Sequence, residues 1–306
     1  MTLVGAERVR FASSTPVGFS GILANGRAGA LDVEGFLVMP AAAAGPLPLV
    51  IASLGSLGFT SGREALYAAA FAQAGIATLI VDSLGTRGIA ETFSDQGRLS
   101  LATSCADALN ALRHMASDGR IDPARIALFG YSRGGCAVLL SDDERLAQAV
   151  LGSAARFAAY VALYPSVWMR WANPKPAPGP ILVVLAENDI MVPLALGRLR
   201  AGTLSAAGAQ VETAVIEEAS HSFDSNEPLA FKNEMNMCDC DVVLADDGSM
   251  EERTCGLRLG DDWSVFVAGL RDACGKLGAA VGYGPPPRNV AVAPVVEFLK
   301  RTFAAR

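Results

Sequence analysis

Apolar, β-branched runs recur along this chain, most of them parted from the next by a stretch of helical period, and Ile76 to Val81 shows no polar alternation at all. Val33 to Met39, Leu47 to Ala52, Ile76 to Val81, Arg125 to Phe129, Ala158 to Tyr164, Ile181 to Ala186 and Val211 to Ile216 read as strands. Arg63 to Ala74, Leu101 to Met115, Arg133 to Leu140 and Pro193 to Ala207 read as the helices between them, and Ala291 to Phe303 as a last one. Strands that are apolar on both faces and joined by helical crossovers require covering on both sides. The expected fold is therefore α/β: a mostly parallel, doubly wound sheet of about eight strands with helices on both faces.

Residues 224–290 break this rhythm. They hold Cys238, Cys240, Cys255 and Cys274, an Asp247-Gly248 turn between two short strand-like runs, and an amphipathic helix with Trp263, Phe266, Val267, Leu270, Cys274 and Leu277 on one stripe. The expectation is one domain over 1–306, with 224–290 a late insertion before the final helix, lid-like or cap-like. The four cysteines lack the C-x2-C spacing of a zinc knuckle. Reduced, half-buried thiols are the expected state, with one or two local disulfides the alternative. Ala41 to Ala44 and Pro285 to Pro287 read as surface connections.

Composition removes several classes of function. With 25 Lys+Arg against 31 Asp+Glu the net charge is −6, and no basic block is present to neutralise a phosphate backbone, so nucleic acid is not an expected partner. Two histidines in 306 residues cannot furnish a three-imidazole metal site. No apolar run reaches the roughly 18 residues that cross a bilayer, so no membrane partner is expected. Met1 to Arg10 carries Glu7, Arg8 and Arg10 with no apolar stretch behind them; a cytoplasmic location is expected, with a processed secreted form left open.

Chemistry concentrates at Gly130-Tyr131-Ser132-Arg133-Gly134. The G-x-S-x-G string alone is weak in a chain with 31 glycines, but here a buried strand ends at Phe129 and a helix of small residues begins at once. A serine on so sharp a strand-to-helix turn has its Oγ thrust above the sheet, and side chains two residues either side would collide. The helix N-terminus behind it favours developing negative charge. A serine nucleophile needs a base. His114 lies inside a predicted helix and reads as a surface histidine, whereas His221 follows the strand Val211 to Ile216, at the carboxyl edge where sites of such sheets assemble. The orienting acid should follow the preceding strand, in Glu187-Asn188-Asp189; Asp189 is preferred and Glu187 is the alternative. An oxyanion would be held by the backbone N–H of Arg133 and by a second from Ser53-Leu54-Gly55-Ser56-Leu57-Gly58, with Ser56 preferred and Leu57 the alternative.

The order Ser132, Asp189, His221 is that of the α/β-hydrolases. Together with Val81-Asp82-Ser83-Leu84-Gly85-Thr86-Arg87-Gly88, Ile121-Asp122-Pro123-Ala124-Arg125-Ile126 and His221 with Phe223-Asp224, the chain resembles a serine member of the dienelactone hydrolase family, over roughly residues 30 to 225. The resemblance implies an α/β-hydrolase fold and hydrolysis of small esters or lactones, without metal or organic cofactor. Ser132 stands where dienelactone hydrolases proper carry cysteine, and Leu54-Gly55 where related esterases carry His-Gly. Carboxylic ester hydrolysis through an acyl-enzyme on Ser132 is the expected activity. A peptidase or acyltransferase on the same triad, and a non-catalytic ligand-binding module, are the alternatives. Candidate substrate contacts are Leu57, Arg87, Tyr131, Trp168 and Trp171, with Arg87 and Arg133 as cations for a substrate carboxylate or as structural ion pairs. A homodimer is compatible with this reading, and the partner expected is a small ester or lactone.

Overall fold

A computed structural model describes residues 5–306 other than 27, 28, 30, 42–44 and 61. Most of the Ala41 to Ala44 connection and the first four residues therefore lie outside the described chain. The main sheet opens with β1 (Glu7–Ser13), α1 (Phe19–Asn25) and β2 (Leu31–Val38), followed by β3 (Leu47–Ser53), α2 (Gly62–Gln73), β4 (Ala77–Val81), α3 (Leu101–Met115) and β5 (Ile121–Tyr131). Helices α4 (Arg133–Ser141) and α5 (Glu144–Leu151) lead to β6 (Ala159–Leu163), and the short β7 (Met169–Trp171) leaves the sheet. Then come β8 (Ile181–Ala186), α6 (Leu194–Ala206) and β9 (Val211–Ile216).

The strand order is β1-β2-β4-β3-β5-β6-β8-β9. β2 runs antiparallel to both β1 and β4, and every other pairing in the sheet is parallel. The two-residue period explains the covering on both sides. Leu49 and Ile51 of β3 enter the core shared with α3 and α4, while Val50 and Ala52 enter the one shared with α2 and the final helix. From β3 the chain moves to β4 on one side and then to β5 on the other. That reversal opens a crevice at the carboxyl ends of β3 and β5, where Ser53 sits beside Gly130.

The segment 224–290 forms β10 (Ala230–Asn236), β11 (Val242–Leu244), β12 (Met250–Glu252), α7 (Trp263–Ala273) and β13 (Lys276–Val281), and α8 (Val292–Ala304) closes the fold. β10 pairs antiparallel with β13, while β11 pairs with β12 and, in parallel, with β7. The roof is thus seeded from within the body, at β7. The helix expected to carry Leu277 stops at Ala273: the Cys274 and Gly275 N–H groups both close on the Leu270 carbonyl, and Leu277 sits on β13, 62% exposed. Pairing with β10 outweighs continuation of the helical stripe. The expectation of reduced thiols is also corrected. Cys240 and Cys274 form a disulfide with Cα atoms 5.2 Å apart, well within bridging range, whereas Cys238 is buried and free and Cys255 is exposed and free. Among the described residues no helix is long and apolar enough to cross a membrane.

Candidate active site

Ser132 has φ 53° and ψ −119°, a left-handed conformation that a side chain adopts only under constraint. The constraint is close backbone approach. A Cβ on Gly134 would lie 2.1 Å from the Ser53 carbonyl oxygen, and one on Gly130 would lie 2.5 Å from that of Gly134. The Ser132 N–H donates to the Leu163 carbonyl and its own carbonyl accepts from the Ser166 N–H, so β6 and the loop after it hold the turn.

Ser132 Oγ lies 2.8 Å from His221 Nε2, and His221 Nδ1 lies 2.7 Å from Asp189 Oδ2. The other carboxylate oxygen of Asp189 accepts from the Met191 and Val192 N–H groups, each at 2.8 Å, which fixes the acid from its own loop. Both His221 and Asp189 are buried. Glu187 is exposed and accepts from the Glu218 N–H, and His114 is exposed near Phe11. Ser132, Asp189 and His221 thus come together, and Glu187 and His114 do not join them.

Ser56 lines the crevice beside Ser132; its carbonyl accepts from the Thr92 N–H and its Oγ from Gln96 Nε2. Arg133 opens α4, so its N–H has no intrahelical partner. Leu54, at the position of the His-Gly variant, is buried in the core shared with α2.

Two chambers meet at Ser132. One, with about 40 Å³ of free volume, contains His221 and is walled by Leu57, Phe93, Lys232 and Val281. The other, of about 30 Å³, lies on the Arg133 side under Trp168, Met191, Met235 and Met237. Leu57 and Trp168 therefore line the site, as does the roof through β10 and β13.

Three of the substrate contacts expected from the sequence fall elsewhere. Arg87 is buried against Asp107, 2.8 Å away, and also bonds Thr15 and the Ser14 carbonyl, so its charge is spent on joining loops. Tyr131 is buried beneath the crevice, its hydroxyl on Glu64 and its ring under the Arg63 guanidinium. Trp171 packs edge-on against Phe19, donates to the Leu140 carbonyl, and is covered by Arg145.

A buried polar cluster lies beneath His221. Asp224 accepts from Arg63, Tyr67 and Tyr164, and the Tyr164 ring stands edge-on to His221 with centroids 5.0 Å apart. Burial, followed by the charge of Asp224, holds the Tyr67 hydroxyl well above its ordinary pKa, and burial does the same for Tyr164. Both phenols stay neutral donors. Burial opposes the Arg63 cation, yet the Asp224 and Glu64 carboxylates beside it raise it above its ordinary value. Only Asp224, three residues after His221, carried a sequence signal; the rest depends on α2 packing beneath β5. Among the described residues no group of three or more His, Cys, Asp or Glu side chains is placed to hold a metal ion.

Residues 64–176 match the model of the prolyl oligopeptidase family. Among solved structures, the chain is similar to a Klebsiella pneumoniae protein provisionally assigned as a dienelactone hydrolase, at 19% identity and TM-score 0.54, covering 72% of this chain and 89% of that one. It is also similar to Thermogutta terrifontis esterase 2 phosphoramylated by tabun, at 18% identity and TM-score 0.52 over 73% and 87% of the two chains. A hyperthermophilic esterase from Pyrobaculum calidifontis shares 17% identity and a TM-score of 0.51, over 73% and 79%. No curated protein sequence matches the chain. The fold is that of the α/β-hydrolases.

Proposed function

We propose that this α/β-hydrolase-fold chain is a serine hydrolase that cleaves small carboxylic esters or lactones. The observation that carries this reading is the continuous relay from Ser132 Oγ to His221 to Asp189, at 2.8 and 2.7 Å. Ser132 attacks the acyl carbonyl while His221 Nε2 takes its proton, and Asp189 holds the imidazole in one tautomer. The N–H groups of Arg133 and Ser56 stabilise the oxyanion. Collapse of the tetrahedral intermediate breaks the ester C–O bond, and His221 returns the proton to the departing oxygen. Water, deprotonated by the same histidine, then attacks the acyl-enzyme and regenerates Ser132.

The match to the prolyl oligopeptidase family over residues 64–176 favours one second reading, cleavage of a peptide bond by the same groups. A fluorophosphonate probe tests the serine: covalent labelling of the native protein, abolished in Ser132→Ala and in His221→Ala, is expected. A folded protein that takes no label would make the chain a binding module. A panel of p-nitrophenyl esters, lactones and aminoacyl amides, with Ser132→Ala as blank, then separates esterase from peptidase.

A further inference from the structure

Arg133 stands out among the buried cations. Arg63 and Arg87 each face a buried carboxylate, Asp224 and Asp107, at 2.8 Å. Arg200, which also has no carboxylate within 4 Å among the described residues, donates to the Val167 and Met169 carbonyls and lies outside both chambers. Arg133 is only 4% exposed and lines the chamber at Ser132. Its guanidinium donates to Gln96 Oε1 at 3.2 Å and to the Leu99 carbonyl at 2.6 Å, both neutral, and no carboxylate lies within 4 Å among the described residues. A buried cation without a counter-ion is costly unless something supplies the anion. Burial accordingly draws its pKa down to about 10, which still leaves it charged at neutral pH.

The two chambers divide the substrate. His221 must return a proton to the leaving oxygen, so the leaving group occupies the chamber that contains His221. The acyl group is left with the other chamber, whose walls Leu101, Val167, Trp168, Met191, Met235 and Met237 are apolar and whose cation is Arg133.

Resting on the serine hydrolase reading, we infer that the preferred substrates are half-esters of short dicarboxylic acids, with the free carboxylate of the acyl group bound by the Arg133 guanidinium. Hydrolysis breaks the acyl C–O bond and places one water oxygen on the acyl carbon, so the products are a dicarboxylate and an alcohol. Arg133 then acts twice, its N–H on the oxyanion and its side chain on the far end of the acyl chain.

The test compares mono-4-nitrophenyl glutarate with 4-nitrophenyl valerate, which have equal acyl chain lengths and differ in the terminal carboxylate. In the native protein kcat/KM for the glutarate should exceed that for the valerate by about 10- to 100-fold, as for a hydrogen bond to a charged group. The ratio within each protein is the readout. It should fall to one or below in Arg133→Met and be partly restored in Arg133→Lys. An equal loss on both esters in Arg133→Met would make the side chain a tether for Gln96 and Leu99 and overturn the inference, as would a native ratio near one. Should Arg133→Met fail to fold, the native ratio and Arg133→Lys decide. Calorimetric binding of free glutarate, absent for pentanol, needs no turnover. Glutarate binding without probe labelling would remove the hydrolase reading and keep the anion site; labelling and valerate turnover without glutarate preference would do the reverse.

Discussion

The floor and the roof of the crevice are built on opposite principles. The floor is backbone: Ser132 at φ 53° between glycines that approach carbonyl oxygens, on adjacent parallel strands buried on both faces. The roof is side chains on two small sheets, closed by the Cys240–Cys274 disulfide. It is stitched to the floor at the loops that carry His221 and Asp189, and at Gln96. Gly282 donates to the His221 carbonyl, Asn236 to the Ile190 carbonyl beside Asp189, and Trp263 to the Gln96 carbonyl. A floor fixed by main-chain geometry suits a reaction that tolerates little displacement, whereas walls made of Met235, Met237 and Lys232 can change with the substrate at no cost to the turn.

The sharpest break of this comparison is Asp189→Asn. The amide preserves the shape but presents a donor where His221 Nδ1 needs an acceptor, favouring the wrong tautomer. We expect kcat on any accepted ester to fall by about 10⁴-fold with KM little altered, measured by steady-state kinetics. A loss under tenfold would mean that the floor is not what limits turnover.

The roof should respond differently. Replacing both Cys240 and Cys274 by Ser removes a link across 34 residues and should cost about 3 kcal/mol of stability, read as a lower denaturation midpoint. Because the bridge ties the connection between β10 and β11 to the end of α7, the kinetic effect should appear in KM and in selectivity among acyl groups. A kcat collapse as large as that of Asp189→Asn would show that the roof holds the relay itself.

The same division decides what could be read in the sequence. Floor elements announce themselves, since strands buried on both faces need unbroken apolar runs; Ile181–Ala186 coincides with β8, and the less buried edge run Val211–Ile216 with β9. β1 was illegible because only Val9, Phe11 and Ser13 face inward, and the charged residues between them resemble a solvated terminus. α5 is one short amphipathic turn-pair, ERLAQAVL, whose apolar stripe is Leu146, Ala147, Val150 and Leu151. The roof is the least legible: β10 pairs with β13 across 40 to 51 residues, and β11 with β7 across more than seventy, so no local pattern specifies either. Within the site, Ser132, His221 and Asp189 follow strand ends and could be found, but the Arg63–Asp224 ion pair joins positions 161 apart. The sequence leaves the roles of Arg87 and Trp171 open for the same reason. Proximity to a motif in sequence says nothing about the partners, Asp107 and Leu140, that claim a long side chain in the fold.

The floor also contains one group at odds with its surroundings. Asp142, the C-cap of α4, is buried with neither carboxylate oxygen bonded among the described residues, and burial followed by the charge of Asp143 raises its pKa from 3.8 to about 8. A carboxyl whose pKa is higher in the folded chain than in the unfolded one stabilises the fold below the unfolded value. That contribution is lost as pH rises from about 4 through about 8, because over this window the folded chain holds a proton that the unfolded chain has released. Asp142→Asn cannot titrate, so it should match the native protein near pH 4 and exceed it at pH 8, by up to about 5 kcal/mol. Paired thermal denaturation at the two pH values isolates the effect, since every other titrating group cancels in the difference between variant and native protein. A difference that did not change with pH would mean that the Asp142 carboxyl is ionised in the fold and that the floor has found it a partner.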